Sequence, residues 1–476
     1  MEISLFMARK VSQTNMSANA PQHTIPSRQL TLFDSICIIA GIVIGAGIYE
    51  ITPRIAGNVT SLSELMSVWI IGGLISLAAA LAYVELATAI PEEGGDYVYL
   101  TRSFGPHIGF LFAWAEFWIV RPGSVGMMSF VFARFAHELV QGTLLSTGDK
   151  GRDFVLYASS TIVIITCLNV LGVRTGKTTQ NLLTVLKVVG LLLIFFVAMC
   201  APVHVATAPV IASTEAPKSA LSLALVFVLF TYGGWNDLCF VAAEVKRPER
   251  NILRSLVIGV GLVAAIYLLF NLALVRAVGL EGLRSPTVVA DFMGTRFGET
   301  GSRAISLLIC LSCLGAINGT LFAGSRIYYA VGTQHRFFSW LGVWSGKWDS
   351  PTRSLTMQGA IAFLWVVIFG ILAGGEAGFD RLLAFTAPVF WTFATLVSLS
   401  VFILRDREPS LPRPHKAVFF PVAPIIFFLS CLFMQHAAFD YAHFLQSQHA
   451  GWSPEAIATA CVLIAGTAIS FLEARS

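Results

Sequence analysis

Charge is what this sequence has least of. Asp, Glu, Lys and Arg make up 12% of its 476 residues, against roughly 25% in an ordinary soluble domain. A chain so poor in charge, 56% hydrophobic and with a mean hydropathy of +0.75 is not a water-soluble globule. Other absences remove whole function classes. There is no HExxH, no set of paired cysteine sites and no phosphate-cradling glycine loop, so no metal, cofactor or enzyme chemistry is implied. The net charge of +4 is modest and no basic run marks a nucleic-acid partner. All eight cysteines fall in apolar stretches, where they read as small buried hydrophobes rather than a disulfide framework. Cys310 and Cys313 form a CxxC, but without a second pair or a nearby histidine. Residues 1–32 lack the apolar core of a secretory signal and read as a disordered cytoplasmic tail.

What is present is apolar sequence in long blocks. A bilayer core takes about 20 apolar residues per helix, and on that measure spans are expected at 33–57, 64–89, 106–133, 154–172, 179–202, 220–241, 252–276, 302–331, 354–373, 380–404, 418–438 and 453–472. The fold class expected is an all-α integral membrane protein of twelve helices. An even count puts both termini on one side, and the larger share of Lys and Arg falls in the loops that a cytoplasmic N-terminus places inside. The expected location is therefore the cell inner membrane, with both termini cytoplasmic. Arg276, Arg284, Arg296 and Arg303 run against the bias and read as part of a long outer loop.

The first span is broken at Gly45-Ala46-Gly47 and the sixth at Gly233-Gly234. Each break opens a block of five spans, 33–202 and 203–404, leaving 405–476 for a final pair and a short tail. Five is odd, so the second block enters the membrane from the opposite face and the repeat is inverted. Unwinding a helix at membrane depth frees backbone groups that each cost several kcal/mol without a partner. The half-helix starting near Gly47 offers N–H groups and a positive dipole end to a carboxylate. The half-helix before it, through Val43 and Ile44, ends in free carbonyls that suit an ammonium. The sixth span brings more carbonyls between Phe230, Thr231, Tyr232 and Gly233. An amino-acid zwitterion fits that pattern. Gly41 and Gly45 also form a GxxxG, and Gly41 reads as a packing residue.

At these residues the sequence resembles the amino acid-polyamine-organocation superfamily, and within it the L-type amino acid transporters and their bacterial relatives. Gly41 to Tyr49 followed by Thr52-Pro53 is similar to the family's broken first span, and Tyr83, Glu85-Leu86, Pro91, Gly94-Gly95 and Tyr97 to Leu100 to the end of its second. Arg121-Pro122 matches a step in the third. Phe230 to Asn236, with Phe240, Glu244 and Pro248 to Asn251, resembles the sixth span and its following loop. Gly315, Asn318-Gly319, Phe322 and Ser325-Arg326 resemble the eighth, and Arg407 to Pro409, Leu411 to Pro414 and Lys416 the loop after the tenth.

The resemblance implies a LeuT-like five-plus-five inverted repeat with two extra helices, carrying amino acids by alternating access. It implies that the N–H groups of Gly45, Ala46 and Gly47 hold the substrate carboxylate and the carbonyls of Val43, Phe230 and Gly233 its ammonium. It further makes Phe230 an aromatic gate and Asn236 the residue that steadies the unwound sixth span beside Gly234. Lys187 matches a lysine that stands where sodium-coupled relatives hold a cation, against the first break. The loop His137 to Asp153 has no cysteine, so no disulfide-linked accessory subunit is expected. Asp237 follows Asn236 where relatives carry a bulkier or uncharged residue. It is a candidate for tuning substrate charge, coupling protons or capping the lower half-helix. Arg121, inside the third span, needs a carboxylate, with Glu116 and Glu85 as candidates. Exchange, proton-linked uptake, polyamine carriage and a non-transporting sensor all remain compatible with these residues.

Overall fold

A computed structural model describes residues 28–140, 146–202, 220–372, 378–447 and 453–473. Within them the regular elements are helices, joined by two isolated bridges of extended backbone. Helix α1 (Leu32–Val43) starts at a capping box: Asp34 N donates to Thr31 Oγ1 at 3.2 Å and Thr31 N to Asp34 Oδ2 at 2.8 Å. Leu30 exchanges backbone hydrogen bonds with Glu244 (2.9 Å) and Lys246 (2.8 Å). The end of the stretch read as a disordered tail is therefore ordered, because a cap and a backbone bridge precede the apolar run. Residues 1–27 lie outside the described residues.

The chain continues through α2 (Gly47–Glu50), α3 (Thr52–Gly57), α4 (Leu62–Ala89) and the short α5 (Asp96–Phe104). Next come α6 (Pro106–Ala115), a π-helical turn at Glu116–Val120 and α7 (Arg121–Val140). In that turn Arg121 N–H reaches back five residues to the Glu116 carbonyl. Helices α8 (Lys150–Val170), α9 (Val173–Cys200) and α10 (Leu221–Thr231) lead to a 3-10 segment, Trp235–Glu244. After it come α11 (Pro248–Leu283), α12 (Val288–Gln334), α13 (Thr352–Leu372), α14 (Gly378–Arg407), α15 (Val422–Ser447) and α16 (Pro454–Glu473).

Among the described residues, eleven stretches are long and apolar enough to cross a bilayer, one fewer than the sequence suggested. The difference is 106–133, where the π turn divides the helix and neither α6 nor α7 qualifies alone. The expected long outer loop is also corrected. Helix α11 runs on to Leu283 past a kink at Gly279 (φ 73°), and α12 begins at Val288 and kinks at Gly298 (φ 63°). Two of the arginines there hold helix ends together: Arg284 donates to the carbonyls of Ala56 and Val59, and Arg276 Nη1 to those of Ala198, Met199 and Ala201 at 3.2, 2.6 and 3.0 Å, capping α9. Residues 203–219, at the start of the second expected block, lie outside the described residues.

Helix α9 shows how membrane burial is divided. Gln180, Leu183, Thr184, Lys187, Leu191 and Ile194 form its buried stripe at helical spacing, while Leu182, Leu186, Val189, Leu193 and Phe196 stay exposed. That apolar outer face belongs to lipid. The cysteines divide the same way: Cys167, Cys200 and Cys461 are exposed rather than buried as expected, since three spans turn them outward. All eight are free thiols.

Helix α1 packs inside α9, α11 and α12, and also against the 3-10 segment. Buried ion pairs gather at the span ends that the expected topology places inside. Arg326 Nε meets Glu244 Oε1 at 2.6 Å, each side chain 1% exposed, and Glu85 takes Arg405 at 2.5 Å and Arg413 at 3.1 Å. Removing one member of a buried pair strands the other charge at a cost of about 3–5 kcal/mol. Arg326→Met should therefore lower the thermal unfolding midpoint in detergent sharply. Arg303→Ala, which breaks an exposed pair with Glu299, should leave it almost unchanged. Equal shifts for the two variants would contradict this account of the Glu244 pair.

Candidate functional site

The two interruptions lie where the glycines placed them. Helix α1 ends at Val43 and winding resumes at Gly47; α10 ends at Thr231 and the 3-10 segment starts at Trp235 after Gly234, whose φ is +101°. At the first break Gly45 N–H turns back to the Val43 carbonyl at 2.8 Å. Among the described residues, the N–H groups of Ala46, Gly47 and Ile48 have no acceptor, and the carbonyls of Ile42 and Gly233 have no donor. The Val43 carbonyl also accepts from the Tyr267 hydroxyl at 2.8 Å, and the Phe230 carbonyl accepts from Gly233 N–H at 3.1 Å. Tyr267 Oη lies 3.4 Å from the Thr231 carbonyl as well, so one phenol touches both breaks.

Between the breaks lies a cavity of about 180 Å³. Val43, Gly45, Gly47, Phe230, Thr231, Gly233, Gly234, Asn236, Asp237 and Arg121 line it. A Cβ added at Gly45 would meet nothing nearer than 3.5 Å, whereas one at Gly41 would sit 2.0 Å from Gln180 Nε2 and 2.4 Å from Thr184 Oγ1. Gly45 therefore faces open space, and Gly41 seats α1 against α9.

Ile44, Tyr232 and Lys187 are not in the cavity wall. Tyr232 is buried against Trp69 and Tyr267, with its hydroxyl on the Trp69 carbonyl at 3.3 Å. Asn236 is in the wall, but its amide makes no hydrogen bond among the described residues. Ala46 lines a second cavity of about 870 Å³, which shares Gly47, Met128, Phe230 and Trp391 with the first and runs past Glu50, Arg54, Arg134 and Asp380. Glu50 and Arg134 form an ion pair on that route.

Lys187 is fully buried. Its ammonium donates to the carbonyls of Gly41 (2.8 Å), Ile44 (2.8 Å) and Ser312 (3.0 Å), tying α9 and α12 to the first break. A side chain at Gly315 would collide with it, since a Cβ there lies 2.6 Å from Nζ. Arg121 donates from Nε to Glu116 Oε2 at 2.6 Å and from Nη1 to Asp237 Oδ2 at 2.7 Å, and its guanidinium lies over the Phe240 ring at 4.6 Å. Glu116 was a sequence candidate; Glu85 is corrected to a partner of Arg405 and Arg413, and Asp237 replaces it.

Sequence reasoning missed the far wall, which includes Ser124, Met128, Thr320, Thr386 and Trp391, and missed Tyr267. These residues sit in unbroken helices, where a lining side chain carries the same local pattern as a packing one.

The chain matches the amino acid permease family model over residues 30–467. It is 29% identical over 442 residues to the b(0,+)-type amino acid transporter 1 of Mus musculus, covering 91% of this chain and 87% of that protein. It is 29% identical over 412 residues to the cystine/glutamate transporter of Homo sapiens, covering 86% and 79%. It is 27% identical over 407 residues to the large neutral amino acids transporter small subunit 2 of Homo sapiens, covering 84% and 74%. Eleven apolar membrane stretches, two helices unwound around a shared cavity and a match along most of the sequence lead to one assignment: the chain belongs to the amino acid permease family of the amino acid-polyamine-organocation superfamily and is a multi-pass transporter rather than an enzyme.

Proposed function

We propose that the chain carries amino acids across the cytoplasmic membrane by alternating access, as a sodium-independent exchanger or a proton-linked permease. The architecture in this reading is twelve spans, α6 to α7 supplying the third, arranged as a five-plus-five inverted repeat over 33–202 and 203–404 with two further helices. Both termini are cytoplasmic. The observation that carries the reading is that the unsatisfied N–H of Gly47 and the unsatisfied carbonyls of Ile42 and Gly233 belong to residues lining one cavity, with the unsatisfied N–H of Ala46 on the adjoining vestibule. Donors gather at a positive half-helix end and acceptors at a negative one, which is the charge pattern of a zwitterion.

The substrate carboxylate docks on the N–H groups of Gly45, Ala46 and Gly47, Gly45 giving up its internal bond to Val43. The ammonium docks on the carbonyls of Gly233, Ile42 and, with their second lone pairs, Val43 and Phe230. Phe230 gates the passage to the 870 Å³ vestibule, which opens toward the Glu50 and Arg54 end of the first span, the outer side in this topology. The buried pairs around Glu244 and Glu85 close the opposite side. This is the disposition of an outward-facing state. Lys187 takes the cation's place at the first break, its Nζ donating to the Gly41 and Ile44 carbonyls.

Labelled amino acid uptake into proteoliposomes, with and without unlabelled amino acid inside, tests the function. Saturable binding without flux would overturn it. Lys187→Met keeps the shape but leaves three carbonyls without their charged donor. Uptake should fall at least tenfold, equivalent to about 1.4 kcal/mol, while the protein still purifies folded. Near-normal uptake would refute the role of Lys187. Gly45→Ala should weaken amino acid binding without lowering the unfolding midpoint, whereas Gly41→Ala should cost about 1–3 kcal/mol of stability by overpacking. The opposite ranking in a thermal unfolding assay would contradict the assignment of the two glycines.

A further inference from the structure

The 180 Å³ cavity has two charged residues in its wall, Arg121 and Asp237, and they do not cancel. Arg121 also holds Glu116, at 2.6 Å, so one guanidinium faces two carboxylates, all three side chains buried. Glu116 sits behind the arginine, outside the wall; Asp237 is the carboxylate that the cavity reaches. A third acid, Asp96 on α5, acts on the same group from below. Burial pushes its carboxyl up to about 8, against the Tyr83 hydroxyl that donates to it at 2.9 Å, and being an acid it brings no positive charge to the count. Cys239 on the 3-10 segment and Tyr328 on α12 also face the cluster, and a thiol and a phenol are neutral at that pH by their ordinary values. The parts of α1 and α14 that form the rest of the wall bring no ionisable side chain.

The cluster is therefore one positive charge short, and an uncompensated anion in a low-dielectric interior is costly. We propose that the missing charge enters with the substrate: an amino acid with a basic side chain enters alone, and one with a neutral side chain enters together with a proton held between Asp237 and Glu116. The inference rests on the reading of this cavity as the amino acid site. Asp237 is its specificity-determining residue. The proton is drawn from water in the vestibule, forms one O–H bond on a carboxylate and is released on the far side when the site opens there.

The test is uptake of labelled L-lysine and L-leucine by the full chain in proteoliposomes holding unlabelled amino acid. External pH is varied between about 5.5 and about 8, which changes the proton supply while the lysine side chain stays charged. Lysine uptake should stay level, and leucine uptake should rise as pH falls. Asp237→Asn should lower lysine uptake at least about thirtyfold, the consequence of removing one charge from a buried pair, and should flatten the leucine pH profile. Asp237→Glu should bring lysine uptake back, which a merely structural role for this residue would not predict. Leucine uptake independent of pH together with no lysine uptake above protein-free liposomes would overturn the inference and leave the amino acid site standing. Undiminished lysine uptake by D237N would overturn it too. Failure to move either amino acid would remove the site reading and this inference with it.

Discussion

The structure depends on a rule of the bilayer core: a backbone polar group there must have a partner. Two helices break that rule at Ile44 to Ala46 and at Tyr232 to Gly234, and their surroundings are arranged around the exposed groups. Lys187 answers the Gly41 and Ile44 carbonyls, and Tyr267 answers Val43 while lying close to Thr231. What these side chains leave unanswered is a row of N–H groups on one side of a cavity and carbonyls on the other. In the proposed function, the ligand is the missing part of the backbone's own hydrogen bonding.

Buried charge follows the same logic at longer range. An arginine or glutamate inside the protein is tolerated because a partner from a distant part of the chain meets it: Arg326 with Glu244, Arg405 with Glu85, Arg121 with Asp237. Each pair joins two spans that local sequence leaves independent. Broken individually, such a pair costs more than its formation gained, so these contacts specify which helices are neighbours rather than simply adding stability.

Much of this is legible in the sequence. Gly45 to Gly47 and Gly233 to Gly234 announced the breaks because glycine clusters recur at the head of each five-span block, whereas Gly72-Gly73 sit within the unbroken α4. Lys187 announced a buried contact because a lysine at mid-span has no other refuge. What stayed hidden was pairing at a distance. Glu116 and Glu85 were the partners the sequence offered for Arg121; the fold keeps the first, gives the second to Arg405 and Arg413, and brings Asp237 to 2.7 Å. The division of 106–133 stayed hidden as well, because a π turn leaves no mark in hydropathy. Capping at Thr31 is written in the sequence as a Thr-x-x-Asp step just ahead of the apolar run, a short signal beside the larger hydropathy pattern.

The turn at Glu116 to Val120 has a consequence of its own. One residue advances a helix by about 100°, so the extra residue wound into that turn sets the azimuth of everything beyond it, Arg121 first of all. Without it, the guanidinium would swing away from Asp237 by roughly a quarter of a revolution. The electrostatic character of the central chamber is thus tied to a count of residues as much as to their kinds, and shortening the chain at a single place would leave Asp237 there without its cation.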